Sequence, residues 1–242
     1  MGSIKLAISG QQLGSQGKSL REILEVLSKF SVSWIELWGF NIARGRGGKI
    51  TDEDLKYTAE ILDEYKVGVA CVTNGGAFSK KMAENPEVYI ASMKETIRAA
   101  KELGASIVNC YCYYFALGHD ADIKPFVKVM EPIVKYAERM DLTIVLENEA
   151  HDASGKPEGM LKILKALNSE HFKTNFDVTN YYHASVEPFP YAYELLKDHI
   201  AYVHMKNGCR YMPRIHMDYA KGGPFPPPNE SQYIFYLSLI HI

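Results

Sequence analysis

Short apolar runs alternate along this chain with longer amphipathic ones, and that alternation predicts parallel strands crossed by helices. Residues 4–9 read as a strand. Residues 19–30 follow as a helix, with Ser19 as N-cap and Leu20, Ile23, Leu24 and Leu27 on one face. A second strand covers Trp34–Trp38, and residues 41–49 form a loop rich in Gly and Arg. Thr51 opens a helix to Tyr65, with Glu53 and Asp54 in the first turn, where the helix dipole favours acids.

A third strand spans residues 67–73, and Asn74-Gly75-Gly76 breaks the chain. Pro86 belongs to the first turn of a helix reaching Leu103, and Gly104 terminates it before a strand at 106–114. The pattern then repeats: helix 123–140, strand 142–149, helix 158–167, strand 173–179, helix 191–198 and strand 200–206. These are seven β/α steps with no linker between them. With no composition shift to mark a topological switch, they favour a closed (β/α)8 barrel over a doubly wound sheet. The length of 242 residues agrees, being close to the roughly 250 of one such barrel.

After Asn207 the pattern stops. Residues 208–230 hold five prolines and three glycines, and residues 233–242 are an uncharged apolar run. The expectation is a single domain over 1–242, well patterned over 1–207 and irregular over 208–242. Its eighth β/α unit is incomplete or missing, since no eighth helix follows the last apolar run.

Composition narrows the partners. Apolar residues make up 47% of the chain, charged residues 23%, and the formal charge is −2, so nothing supplies the basic footprint of a nucleic-acid binder. Cys71, Cys110, Cys112 and Cys209 lack zinc-type spacing and read as reduced core residues. No apolar stretch approaches the ~18 residues that span a bilayer. The expected setting is cytoplasmic, with no membrane or nucleic-acid partner and with a homo-oligomer left open.

Three strands in the second half end in residues able to hold a hard metal ion: Glu147 in Leu-Glu-Asn-Glu, Asp177 in Asn-Phe-Asp-Val-Thr-Asn, and His204 in Tyr-Val-His-Met-Lys-Asn. Strand alternation puts Thr143, Val145, Glu147 and Glu149 on one side, opposite the apolar Ile144 and Leu146, so Glu147 points into the barrel mouth. Asp177 shares a side with Asn175, and His204 with Tyr202 and Lys206. Each has a plain alternative: a salt-bridged glutamate, an aspartate capping the next turn, a hydrogen-bonded structural histidine. Together, two carboxylates and an imidazole suit Mn²⁺, Mg²⁺ or Co²⁺ better than a thiolate-type zinc site. Trp38, Asn74, Glu149, Asn180, Lys206 and Arg210 lie at or just beyond strand ends and are candidate substrate contacts. Arg44 and Arg46 are a loop alternative for a hydroxyl or phosphate.

These motifs resemble those of the xylose-isomerase-like barrels, within them the sugar phosphate isomerase/epimerase group. The resemblance rests on Val-Leu-Glu-Asn-Glu, Phe-Asp-x-x-Asn and Tyr-Val-His-Met-Lys-Asn, with Trp-Ile-Glu-Leu-Trp matching the second strand, and runs from about Ile4 to Asn207. It implies a TIM barrel holding a divalent metal, Mn²⁺ foremost and otherwise Mg²⁺, Co²⁺ or Zn²⁺, through Glu147, Asp177, His204 and a glutamate closing strand eight. It also implies a sugar or sugar phosphate as substrate, with Glu147 as acid/base in proton transfer through an enediolate. Two departures stand out. Asn207 occupies a position where aspartate is usual, and residues 233–242 contain no acid. The expectation is therefore a C-terminally truncated barrel whose last residues are foreign, with weak metal binding and little activity as it stands.

Three alternatives remain at this stage. An AP-endonuclease-type barrel needs extra histidines that Asn74 and residues 110–114 do not supply, and His216-Met-Asp218 reverses its late motif. A non-catalytic sugar-binding relative and a polyol dehydratase share the scaffold.

Overall fold

The computed structural model describes residues 5–43, 49–75, 84–112, 118–150, 152–209 and 235–241, without side chains for 207–209 and 235–241. Strands β1 (Ile8–Ser9), β2 (Trp34–Trp38), β3 (Gly68–Thr73), β4 (Ile107–Cys110), β5 (Thr143–Glu147), β6 (Phe172–Asp177), β7 (Ile200–Cys209) and β8 (Phe235–His241) form one curled sheet in sequence order. The first seven are parallel, and helices cross between them as the alternating pattern predicts. This is an incomplete (β/α)8 barrel. The eighth strand departs from that scheme by pairing antiparallel to β7, with His241 in register with His204.

Two apolar layers hold the barrel. The outer one lies between sheet and helices and includes Leu20, Ile23, Leu24, Leu27, Ile35, Leu37, Ile144 and Leu146. Each such side chain stabilises the fold by about 1.5–3 kcal/mol relative to exposure. The inner layer is small: Cys71, Val145 and Tyr202 fill the barrel axis beneath the polar mouth. Cys71, Cys110 and Cys112 are free thiols in these layers, and burial raises the pKa of all three.

Local signals set most element ends. Ser19 and Thr51 each close a capping box, with Glu22 and Asp54, at the starts of α2 (Leu20–Leu27) and α4 (Asp52–Tyr65). Pro86 begins α5 (Pro86–Glu102), and Gly104 follows it at φ +76°.

Several predicted boundaries move. The expected loop at 41–49 begins inside a short helix, α3 (Gly39–Ile42), because the Asn41 side chain accepts from Trp38 N and donates to the Gly10 carbonyl. Strand β6 ends at Asp177 rather than at 179, since that residue caps another short helix, α8 (Val178–His183). The predicted helix at 191–198 is broken. Pro188 and the extended Phe189 interrupt the turn before it, leaving α9 (Tyr193–Leu196) and a 3₁₀ turn, Lys197–His199. Between β4 and β7 lie α6 (Lys124–Met140) and α7 (Pro157–Leu167).

Candidate functional site

The parallel register brings the polar ends of β2 and of β5, β6 and β7 together at the carboxyl end of the barrel. Glu147 stands beside Asn175, and Asp177 beside His204, in neighbouring strands. The strand alternation read from sequence holds: Val145 and Tyr202 face the barrel axis, and two residues further on Glu147 and His204 continue that face.

One nitrogen or oxygen from each of Glu147, Asp177 and His204 lies within 4.8 Å of the others, and all three residues are buried. His204 Nδ1 is 2.9 Å from Glu147 Oε2 and 3.9 Å from Asp177 Oδ2. Asp177 also has the capping role weighed above, because its Oδ1 accepts from Asn180 N at 2.9 Å. The two roles use different oxygens, so the cap leaves Oδ2 directed at the cluster.

Other residues orient the Glu147 carboxylate. Asn109 and Asn175 donate to its Oε2 at 3.1 and 3.4 Å, and Asn180 donates to Oε1 at 3.4 Å. Lys206 Nζ stands 2.5 Å from Asp177 Oδ2, 3.6 Å from Glu147 Oε1 and 3.4 Å from Asn180 Oδ1. On the far side of the imidazole, His204 Nε2 meets Glu36 Oε2 at 2.9 Å. Glu36 is fully buried on β2, and its other oxygen accepts from the Trp38 indole at 3.1 Å and the Thr73 hydroxyl at 2.8 Å.

These contacts separate the acidities. Burial raises the pKa of Glu147, but His204 and Lys206 outweigh it and hold the carboxyl below the ordinary range. Burial pushes Asp177 up to about 6 against the pull of Lys206, and burial together with the charge of Glu147 pushes Glu149 well above its ordinary value. Burial lowers His204, yet the carboxylates of Glu147 and Glu36 raise it to about 10. Lys206 is likewise raised: burial opposes its charge, and Glu147 and Asp177 prevail.

Of the other residues singled out in the sequence, Asn180 and Lys206 join the cluster. Trp38 spends its indole N–H on Glu36, with its ring 5.8 Å from that of Tyr111. The Asn74 amide donates to Ser92 of α5, and Glu149 N to the Ser154 hydroxyl. Arg44, Arg46 and Arg210 lie outside the described residues. Sequence reasoning gave no role to Glu36, Thr73, Asn109 or Asn175. A signal existed for two of them: Glu36 between Ile35 and Leu37, and Asn109 between Val108 and Cys110, are polar residues inside apolar strands.

The donor set fits a divalent ion. Two carboxylate oxygens and an imidazole nitrogen are a common set for a hard to borderline cation. Among the described side chains in contact, the three carboxylates of Glu36, Glu147 and Asp177 face two cations, His204 and Lys206. The cluster is thus one positive charge short, and exchanging the imidazolium proton for a divalent ion supplies it.

Comparison with known proteins agrees with this architecture. A family model described as a xylose isomerase-like TIM barrel matches residues 24–222. A search of curated proteins finds no match. Among solved structures, the probable 3-DHS dehydratase AsbF of Bacillus anthracis superposes with TM-score 0.71 at 15% identity, over 93% of this chain and 82% of that one. The IOLI protein with a binding zinc atom gives 0.67 at 18% identity, over 87% and 75%. A D-tagatose 3-epimerase-like protein gives 0.66 at 20% identity, over 86% and 78%. At these identities the likeness is one of fold.

Proposed function

The chain belongs to the xylose isomerase-like TIM-barrel family, and on that premise we propose that it is a divalent-metal-dependent isomerase or epimerase of a sugar or sugar phosphate. The observation that carries this reading is the convergence of Glu147, Asp177 and His204, buried and within 4.8 Å, from three adjacent strands, the first two residues being the last of β5 and β6. Active sites of such barrels form at the carboxyl ends of the strands. Glu147 Oε2, Asp177 Oδ2 and His204 Nδ1 would hold the ion. Bound there, a divalent ion polarises a substrate carbonyl and acidifies the neighbouring C–H bond.

The chain's own residues do the rest. Glu147, ionised and aimed by Asn109, Asn175 and Asn180, accepts the proton from the substrate carbon through an oxygen not engaged with the ion. The Lys206 ammonium, fixed by Asp177 and Asn180, donates to the oxygen on which enediolate charge develops. Glu149, whose carboxyl is shifted above its ordinary pKa by desolvation and by the charge of Glu147, would return a proton. Return to the adjacent carbon gives isomerisation, and return to the opposite face gives epimerisation. Trp38 offers an aromatic face to the sugar ring, with Asn74 and Arg210 as further rim contacts.

The zinc atom bound by the IOLI protein supports metal binding by a barrel of this fold, and Mn²⁺ or Co²⁺ suits the oxygen-rich donors here equally. The test is equilibrium dialysis against Mn²⁺ and Co²⁺, followed by C–H exchange of ketoses and their phosphates in D₂O. Weak binding of one ion and slow exchange are expected in the native chain, whose residues 233–242 supply no fourth carboxylate, with both lost in Glu147→Gln. A chain that binds no divalent ion, or a Glu147→Gln variant that still exchanges at the native rate, would refute the assignment. Release of water from a polyol ketone without exchange would replace it by a dehydratase.

A further inference from the structure

We propose that Glu36, on β2, is a positioning residue for His204: it fixes the imidazole so that Nδ1, and not Nε2, is the nitrogen offered to a divalent ion. The inference rests on the metal-site reading above and deepens it. Glu36 is separated from His204 by 168 positions in sequence, and the curl of the sheet brings the pair to 2.9 Å inside the barrel. A carboxylate accepts hydrogen bonds and donates none, so the Nε2 that faces it carries a proton. An imidazole ligating a metal commonly donates its remote N–H to just such an acceptor, which sets both tautomer and ring direction. The opposite nitrogen, Nδ1, is the one that looks at Glu147 Oε2 and Asp177 Oδ2. The Tyr202 ring meets the imidazole edge-on, with centroids 5.5 Å apart at 71°, and limits its rotation.

The second oxygen of Glu36 makes the arrangement directional. Oε1 accepts from two groups, the Trp38 indole N–H and the Thr73 hydroxyl. An indole N–H has no capacity to accept. In Glu36→Gln the amide oxygen therefore belongs on the Trp38 side, and the amide NH₂ turns to His204. Facing that donor, Nε2 gives up its proton and becomes the acceptor, and the imidazole keeps only the proton on Nδ1, donated to Glu147 Oε2. The Trp38 indole, the Thr73 hydroxyl, the glutamine amide, the imidazole and Glu147 Oε2 are then paired with one another without metal. Ligation through Nδ1 would instead set N–H against N–H on one side of the glutamine or the other. An isosteric change that leaves the packing intact thus opposes metal binding in two ways, through the tautomer and through the loss of one carboxylate charge beside His204, and the nitrogen-15 spectrum reads the first of them separately.

The experiment uses the full chain with nitrogen-15-labelled histidine, observed by NMR with and without Zn²⁺, together with Zn²⁺ affinity by competition dialysis. In the native protein the His204 signal is expected to show Nδ1 ligated and Nε2 protonated. In Glu36→Gln, Zn²⁺ affinity is expected to fall by about 10–100-fold, with the metal-free imidazole neutral, protonated on Nδ1 and bare on Nε2. Ligation through Nε2 in the native protein would overturn the inference while leaving the metal site standing, and that spectrum decides the matter even if the variant fails to fold. A folded Glu36→Gln whose metal-free His204 still carries a proton on Nε2, with affinity within about twofold of native, would also overturn it. Failure of the native chain to bind Zn²⁺ at all would overturn the metal-site reading and this inference with it.

Discussion

The ammonium of Lys206 lies 2.5 Å from Asp177 Oδ2, the oxygen that the Asn180 cap leaves directed at the cluster. A side-chain cation therefore already holds one of the carboxylates that a divalent ion would use, and stands 3.6 Å from the other.

Replacing that cation by a neutral side chain of similar length should separate two effects. Without metal, Lys206→Met leaves a buried carboxylate uncompensated, and stability should drop by about 3–5 kcal/mol. With metal, a repelling unit charge a few ångströms away is gone, so Co²⁺ affinity at pH 8 should rise by at least about tenfold. Melting temperature and dialysis read the two independently. Weaker Co²⁺ binding in the variant would show that Lys206 supports the ion rather than competing with it.

Asp152 should give the fold a pH dependence of its own. Its carboxyl is buried, Oδ1 accepts from Ser154 N and Oγ, and Oδ2 has no partner among the described residues. Burial pushes its pKa up to about 7 against those two hydrogen bonds. The folded protein thus binds this proton more tightly than the unfolded chain does. Stability falls as pH rises from about 4, the unfolded value, to about 7, and is level beyond it. Asp152→Asn removes that fall, so the stability of variant minus native should grow across the window by up to roughly 4 kcal/mol. Denaturation curves at intervals from pH 4 to pH 8 check it. A difference that stays flat would mean that Asp152 is solvated as in the unfolded chain.

Gly159→Ala puts helix propensity against packing. Alanine in α7 is favoured over glycine by about 1 kcal/mol. Yet a Cβ at 159 would overlap the backbone oxygen of Ala153, in the buried turn Ala153–Gly155. That turn carries Ser154, whose hydroxyl receives Glu149 N at 2.9 Å. Overpacking against backbone costs about 1–3 kcal/mol, so a net loss is expected in urea denaturation. A more stable variant would show that the turn yields freely.

The β/α alternation was open to sequence reading because helix and strand periods differ and each element buries a face. Leu20, Ile23, Leu24 and Leu27 are all in the outer core, as their spacing implies. Glu147, Asp177 and His204 were open to it as well, since each lies on the polar side of its strand, although only Glu147 and Asp177 end theirs and β7 runs on past His204 to Cys209. The boundaries that moved did so for contacts outside any local pattern. The link from Asn41 to Gly10 winds the chain into α3, and the cap of Asp177 on Asn180 ends β6 early.

By itself the sequence determined the seven β/α steps, the buried face of Leu20, Ile23, Leu24 and Leu27 and three ligand candidates on the polar sides of their strands, since periodicity and side-chain direction are local properties of the backbone. Tertiary structure alone decided that Glu36 meets His204, that Lys206 takes the inward oxygen of Asp177, and that Asn109 and Asn175 aim Glu147. Those partners sit on other strands, and strand order and register, rather than sequence spacing, bring their atoms within hydrogen-bonding distance.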